Sequence, residues 1–214
     1  MTTTRSTTAT RPRSARGEGE RLRQEILDAA EALLLRTGSE EAVSIRAVAD
    51  AVGVTAPSIY RHFPDKNHLL FEVCAQHFAR MAAFIESTAE TSDDPLEAIE
   101  HMAAAYVRFG TENPEHYRIM FMGPSDHTPE QYADEQVLET GAFGSLVALV
   151  QRAIDGGQLR AELTDAVTVA HVLWAGVHGV VSLAVAKPNM PSPPLDELVR
   201  TLTNALLNGI RRVA

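Results

Sequence analysis

The sequence predicts an all-α fold of about nine helices, with a small N-terminal three-helix unit and a larger helical body. Three observations carry this. Apolar residues recur at three- and four-residue spacing through most of the chain. The breaks between those segments hold helix stops and caps: Thr-Gly-Ser at 37–39, Ser-Asp-Asp-Pro at 92–95, Asn-Pro at 113–114. No segment alternates like a half-buried strand, and no internal repeat is present. With 214 residues and 45% hydrophobic content, there is enough chain for one sizeable core or two small ones.

Residues 1–17 are rich in Thr and Arg and too poor in apolar groups to order, so a disordered basic arm is expected. The first helix runs from about Glu18 to Thr37, with Ile26, Ala29, Ala30 and Leu33 as its core stripe and Gly38 as its stop. Ser44 is placed to cap a second helix over 45–52, in which Ile45, Val48, Ala49 and Val52 form the apolar face. Gly53 stands at the turn, where positive φ is needed. Thr55 offers a further N-cap, and Pro57 is acceptable in the first turn of a third helix over 55–62. Asp65 caps a fourth helix reaching about Thr88.

Pro95 opens a fifth helix that Asn113-Pro114 closes, because the residue before a proline avoids the α region. The run P-E-H-Y-R-I-M-F makes a short sixth helix, followed by a loop over 123–130. A seventh spans roughly 130–155 before Gly156-Gly157. Thr164 caps an eighth over 165–187. After the rigid P-N-M-P-S-P-P connector, a ninth runs from Leu195 to Arg211.

The segment from Ser44 to Lys66 carries the chemistry. Two short helices are joined by a tight turn, Ile59 and Phe63 point inward, and Ser58, Tyr60, Arg61 and His62 are left outside. That is a helix-turn-helix, whose second helix enters the DNA major groove. Thr55, Ala56, Pro57, Ser58 and His62 lie at or on the outer face of that helix. Hydroxyls there bond several base edges, and Ala56 packs on a thymine methyl. Arg61 alone on it grips a guanine in bidentate fashion, so specificity leans also on DNA shape, on Arg46, or on the arm. Arg11, Arg13 and Arg16 of the arm either contact the minor groove or phosphates, or belong to an inert tail.

The run I-R-A-V-A-D-A-V-G-V-T-A-P-S-I-Y-R-H-F-P-D-K-N-H-L-L resembles the signature of TetR-type transcriptional regulators, across roughly residues 22 to 72. The resemblance implies an all-α fold with an N-terminal DNA-binding domain over 18–66. Residues 67–214 would then form a helical regulatory and dimerisation domain. It also implies phosphate contacts by Tyr60 and Lys66. For Tyr60 the alternative is a core aromatic; for Lys66, a solvated lysine. A cation in the first turn of a helix opposes the macrodipole, and a phosphate there removes the conflict.

Charge distribution agrees with this. The net −9 argues against nucleic acid only until it is divided. Residues 1–66 hold ten basic against nine acidic groups, and residues 67–214 nine against nineteen. A basic arm and neutral head on an acidic body orient a protein on DNA. Cys74 has no cysteine to pair with, which fits a reducing cytoplasm, and it reads as a buried apolar residue in preference to a redox sensor. The N-terminus has no apolar run of a secretory signal. Residues 166–186 are apolar enough to imitate a membrane span, but two histidines and interior glycines favour a buried helix and no membrane.

In the eighth helix His171, Trp174 and His178 share a face. The string W-A-G-V-H-G resembles the Trp-His-Gly feature of one C-terminal subclass of these regulators. The histidines either contact a ligand or sit at a core or dimer seam. A shared metal is disfavoured, because seven residues of helix separate them by ~10 Å. Ala175 and Gly179 would admit another helix closely. With the stripe Leu198, Leu202, Ala205, Leu206 and Ile210 they suggest a homodimer through helices eight and nine. Met81, Phe84, Met102, Tyr106, Phe109, Tyr117, Met120 and Phe121 either line an apolar effector pocket, with Trp174 and His178, or form plain core.

No P-loop, G-x-S-x-G, H-E-x-x-H or paired-carboxylate spacing occurs, so neither an enzyme nor a cofactor is expected. His62, His68 and His77 are expected to face DNA or solvent. The expectation is a cytoplasmic, homodimeric DNA-binding regulator, a repressor released from double-stranded operator DNA by a small apolar molecule. The alternative is a constitutive DNA-binding homodimer without an effector.

Overall fold

The computed structural model describes residues 18–89, 92–122 and 141–212. The basic arm, the loop over 123–130 and the first part of the expected seventh helix lie outside the described residues. Among those described there are nine helices: α1 (Glu18–Thr37), α2 (Ile45–Val52), α3 (Ala56–Tyr60), α4 (Lys66–Ala89), α5 (Pro95–Glu112), α6 (Pro114–Phe121), α7 (Gly141–Asp155), α8 (Ala166–Ala186) and α9 (Leu195–Ile210). An isolated bridge between Leu159 and Arg211 is the one β-type pairing among them. The described residues separate into two compact units with the boundary between Cys74 and Ala75, inside α4.

In the first unit Ile26, Leu27, Val48, Ile59, Phe63 and Leu69 are buried to within 1%. Ser44 Oγ accepts the Ala47 N–H at 3.1 Å and starts α2. Gly53 ends α2 at φ 77°, its N–H donating to the Ala49 carbonyl at 2.9 Å. Thr55 occupies the cap position of α3 without making a cap bond. Its hydroxyl lies 3.1 Å from Ser58 Oγ instead. The third helix is also shorter than expected, ending at Tyr60 with Arg61 at its C-cap. On α1 the buried stripe includes Leu27 and Leu34, while Ala29 is only part-buried. The guanidinium of Arg23 stands 5.2 Å above the Phe63 ring and pairs with Glu72, which His68 Nε2 also reaches at 3.1 Å. Cys74 is part-buried.

In the second unit α5, α7 and α8 pack on one another, α9 lies against α5 and α8, and α6 bridges the same two. Two glycines permit the close approaches. A Cβ on Gly110 of α5 would stand 2.4 Å from Val181 Cγ1 of α8, and one on Gly176 of α8 would stand 2.8 Å from Leu206 Cδ1 of α9. Ala175 is exposed and Gly179 has open space beside it, so within this chain no helix covers the pair.

Helix α8 begins at Ala166, capped by Asp165 and not by Thr164: the Asp165 carboxylate accepts the Val167 N–H at 3.1 Å. A carboxylate there also answers the positive helix end, which a hydroxyl does not. The expected buried helix is buried on one face only. Val169, Leu173, Val177, Val181 and Val185 are covered, while Val172 and Leu183 are 52% and 55% exposed. By length and hydropathy alone α8 is a candidate span. On α9 the buried residues are Val199, Thr203 and Leu207; Leu198, Leu202, Leu206 and Ile210 are part-buried and Ala205 exposed. His77, expected to face DNA or solvent, is 1% exposed with its ring 4.6 Å from that of His116.

Candidate nucleic-acid interface and effector site

The first unit presents polar side chains outward from α2 to the start of α4. Ser44, Arg46, Thr55, Pro57, Tyr60 and Arg61 are exposed, and Ala56, Ser58 and His62 part-buried. Ile59 and Phe63 hold the helix down from its inner side, both wholly buried. Tyr60 is 53% exposed, so it is not a core aromatic of this unit. The Ser44 oxygen is engaged by the backbone, which leaves its proton to donate outward. Thr55 and Ser58 share one hydrogen bond, so between them one hydroxyl proton stays uncommitted.

Lys66 is part-buried and bonded. Its Nζ donates to the Glu40 carbonyl at 3.0 Å, tying the start of α4 to the α1–α2 loop. Beside it the Glu41 carboxyl is held below its usual range, first by the Ser39 hydroxyl and in smaller part by the Lys66 charge. An ammonium has three donors, so two remain for an anion outside.

The second unit brings together half of the residues expected around an effector. Tyr106, Tyr117, Phe121, Trp174 and His178 form one cluster from α5, α6 and α8. The His178 ring lies 4.9 Å from Phe121, 5.3 Å from Trp174 and 5.6 Å from Tyr117. Its Nδ1 stands 2.9 Å from the Tyr106 hydroxyl and 2.8 Å from that of Tyr117. Trp174 Nε1 donates to the Tyr106 oxygen at 3.3 Å, and the Tyr117 hydroxyl reaches Ser182 Oγ at 3.2 Å.

The other five have no hydrogen bond or ring contact with the trio among those described. Phe84 and Phe109 pair at 5.8 Å, with the Arg108 guanidinium 4.6 Å above Phe84, and Met81, Met102 and Met120 are buried. Sequence reasoning missed Ser182, although its spacing of four from His178 was a usable signal. It also missed Phe143, whose ring lies 4.6 Å from His171 and 5.8 Å from Trp174. An open cleft of about 340 Å³ lies elsewhere, lined by Asp94, Leu96, Gly157, Gln158, Arg211 and Arg212.

Burial sets the protonation of the cluster. It holds His178 below the ordinary imidazole value and pushes both tyrosines above the ordinary phenol value, so all three are neutral near pH 7. A neutral hydrogen-bonded trio inside an aromatic wall is a polar point in an apolar setting, the arrangement that orients a small molecule.

Residues 99–206 match the family model described as tetracyclin repressor-like, C-terminal domain, and residues 26–73 match that of bacterial regulatory proteins, tetR family. The HTH-type transcriptional repressor KstR of Mycobacterium tuberculosis (strain ATCC 25618 / H37Rv) is 36% identical over 92 residues, 43% of this chain. The match spans 41% of that relative's length. The HTH-type transcriptional activator FasR of Mycolicibacterium smegmatis is 24% identical over 147 residues, 66% of this chain and 67% of that protein. Among solved structures, a protein of unknown function from Rhodococcus sp. RHA1 superimposes with a TM-score of 0.73 at 28% identity. It covers 89% of this chain and 96% of that one. The fatty acid degradation regulator FadR from Bacillus halodurans gives 0.69 at 20% identity over 88% and 95%, a likeness of fold.

Proposed function

Because this chain belongs to the tetR family of bacterial regulatory proteins, we propose that it is a homodimeric repressor released from its operator by a small apolar molecule. Regulators of this family bind operator DNA through the helix-turn-helix and typically dimerise. The observation that carries the ligand half of the reading is the neutral Tyr106–Tyr117–His178 trio set among aromatic rings. Repression over activation is supported by the KstR relatives, which are named repressors and share more identity than the activator FasR.

Helices α8 and α9 are proposed as the dimer seam, with a second copy as occupant. Val172, Leu183 and the open side of Gly179 leave an apolar face on α8, and Ala205 with the part-buried leucines continues it on α9. A DNA reader with paired half-sites needs such a seam. Tyr60, Arg61 and Lys66 are proposed for phosphates or bases, with Ser44, Arg46 and the α3 hydroxyls beside them. The W-A-G-V-H-G run keeps the Trp-His-Gly subclass within the proposal, since Trp174 and His178 both join the network.

One observation favours the constitutive alternative: Tyr117 is wholly buried, as a plain core tyrosine would be. A panel of apolar compounds separates the two. A ligand of the native state raises the melting temperature. Compounds that do so and also release a bound operator fragment support induction. Stabilising compounds that leave DNA affinity unchanged contradict it, because coupling must act in both directions.

A further inference from the structure

His178 Nδ1 has two phenol neighbours, Tyr117 at 2.8 Å and Tyr106 at 2.9 Å. An imidazole lone pair is a better acceptor than a phenolic oxygen, and a phenol is a better donor than acceptor. One tyrosine O–H is therefore directed at Nδ1. Tyr117 has Ser182 Oγ and the His178 carbonyl as other acceptors, whereas Tyr106, whose oxygen takes the Trp174 N–H, has Nδ1. A neutral imidazole that accepts at one nitrogen carries its proton on the other. Nε2–H is then a donor, and no described residue accepts from it. The ring is part-buried, so this donor is reachable from outside the cluster.

We propose that Nε2–H of His178 is the polar anchor of the effector site, and that the effector is an uncharged apolar molecule whose carbonyl oxygen accepts this bond. The inference rests on the ligand-released reading above and narrows its chemistry. A carboxylate fits less well. Among the described residues, the side chains bonded to His178 or in ring contact with it are Tyr106, Tyr117, Phe121 and Trp174, and none of these four carries a charge to offset desolvation of an anion. A carbonyl asks for one donor and gives the aromatic wall an apolar body to cover.

The probe is built in: Trp174, the chain's sole tryptophan, stacks 5.3 Å from His178. Methyl hexyl ketone, octane and octanoate differ in the acceptor and little else. Titrated into the full chain, the ketone is expected to shift Trp174 emission and bind about tenfold tighter than octane, the worth of one well-placed neutral hydrogen bond. His178→Gln places an amide N–H near the Nε2 position and should keep that preference. His178→Asn mimics Nδ1 alone and should lose it. Nitrogen NMR of the wild-type imidazole gives a test that needs no variant, with the Nε2–H tautomer expected.

Four results overturn the anchor: an Nδ1–H tautomer, equal binding of ketone and octane, tighter binding of octanoate, or an undiminished preference in H178N. Each leaves the regulator reading standing; DNA release by some other compound when none of these three binds also overturns the anchor and leaves that reading standing. Failure of every apolar compound to bind overturns both.

Discussion

The ammonium of Lys66 donates to the carbonyl oxygen of Glu40 at 3.0 Å, joining the first turn of α4 to the loop that precedes α2. Lys66 therefore has a fold-holding role beside any contact with DNA, and the two are separable. Lys66→Met should lower the melting temperature, with a cost of about 1 kcal/mol for the lost bond. If it also grips a phosphate, the slope of log affinity against log salt should fall by about one. A lower melting temperature with an unchanged slope would confine Lys66 to the structural role.

Ser44 caps α2 and is also proposed for the DNA face. Ser44→Ala removes the cap on α2 and should cost about 1 kcal/mol in thermal melting. Ser44→Asp keeps a capping oxygen and should melt near wild type, yet weaken DNA binding by placing a negative charge on the exposed face. Equal DNA affinity for Asp and Ser would remove this residue from the interface.

Gly110 has no room for a side chain, since its Cβ would meet Val181 Cγ1 and the Tyr117 ring. Gly110→Ala should destabilise by about 1–3 kcal/mol through overpacking. Because Tyr117 reaches His178, the same change should shift Trp174 emission. Unaltered melting and emission would contradict the close α5–α8 approach.

On α8, Val172→Arg with Leu183→Arg charges an exposed apolar face without touching the buried one. Sedimentation should show a dimer becoming a monomer, with operator affinity falling by a factor on the order of a hundred as the two half-sites uncouple. A variant that stays dimeric places the seam elsewhere.

His178 makes stability depend on pH. Its folded-state pKa is held below the ordinary imidazole value of 6.5 by burial, so between the two values the unfolded chain binds more protons. The stabilisation is present above pH 6.5 and is lost as pH falls through the lower, folded-state value. Melting scans should show wild type losing more than His178→Gln over that window; parallel curves would contradict it.

What could be read in the sequence follows physical range. The cap at Ser44, the stop at Gly53, the proline starts of α5 and α6 and the short α2 depend on neighbours within four residues, and all were legible. The cap of α8 was missed by one position because Thr164 and Asp165 are both good capping residues. Periodicity put Trp174 and His178 on one face, but not Tyr106 and Tyr117, which lie 72 and 61 residues from His178, opposite them. It did not mark Gly176, where α9 comes close, since spacing names a small residue without naming what meets it. The two faces of α8 were likewise beyond its reach: the helix is apolar all round, so no pattern marks the side left open.

We propose that the face from Ser44 to Lys66 reads DNA, and fluorescence anisotropy of the full chain on the DNA flanking its own gene, across a salt series, checks this. The expected result is tight binding to one palindromic fragment over a shuffled control, with a log–log salt slope on the order of −5 or steeper. Binding that is indifferent to sequence and insensitive to salt would contradict it.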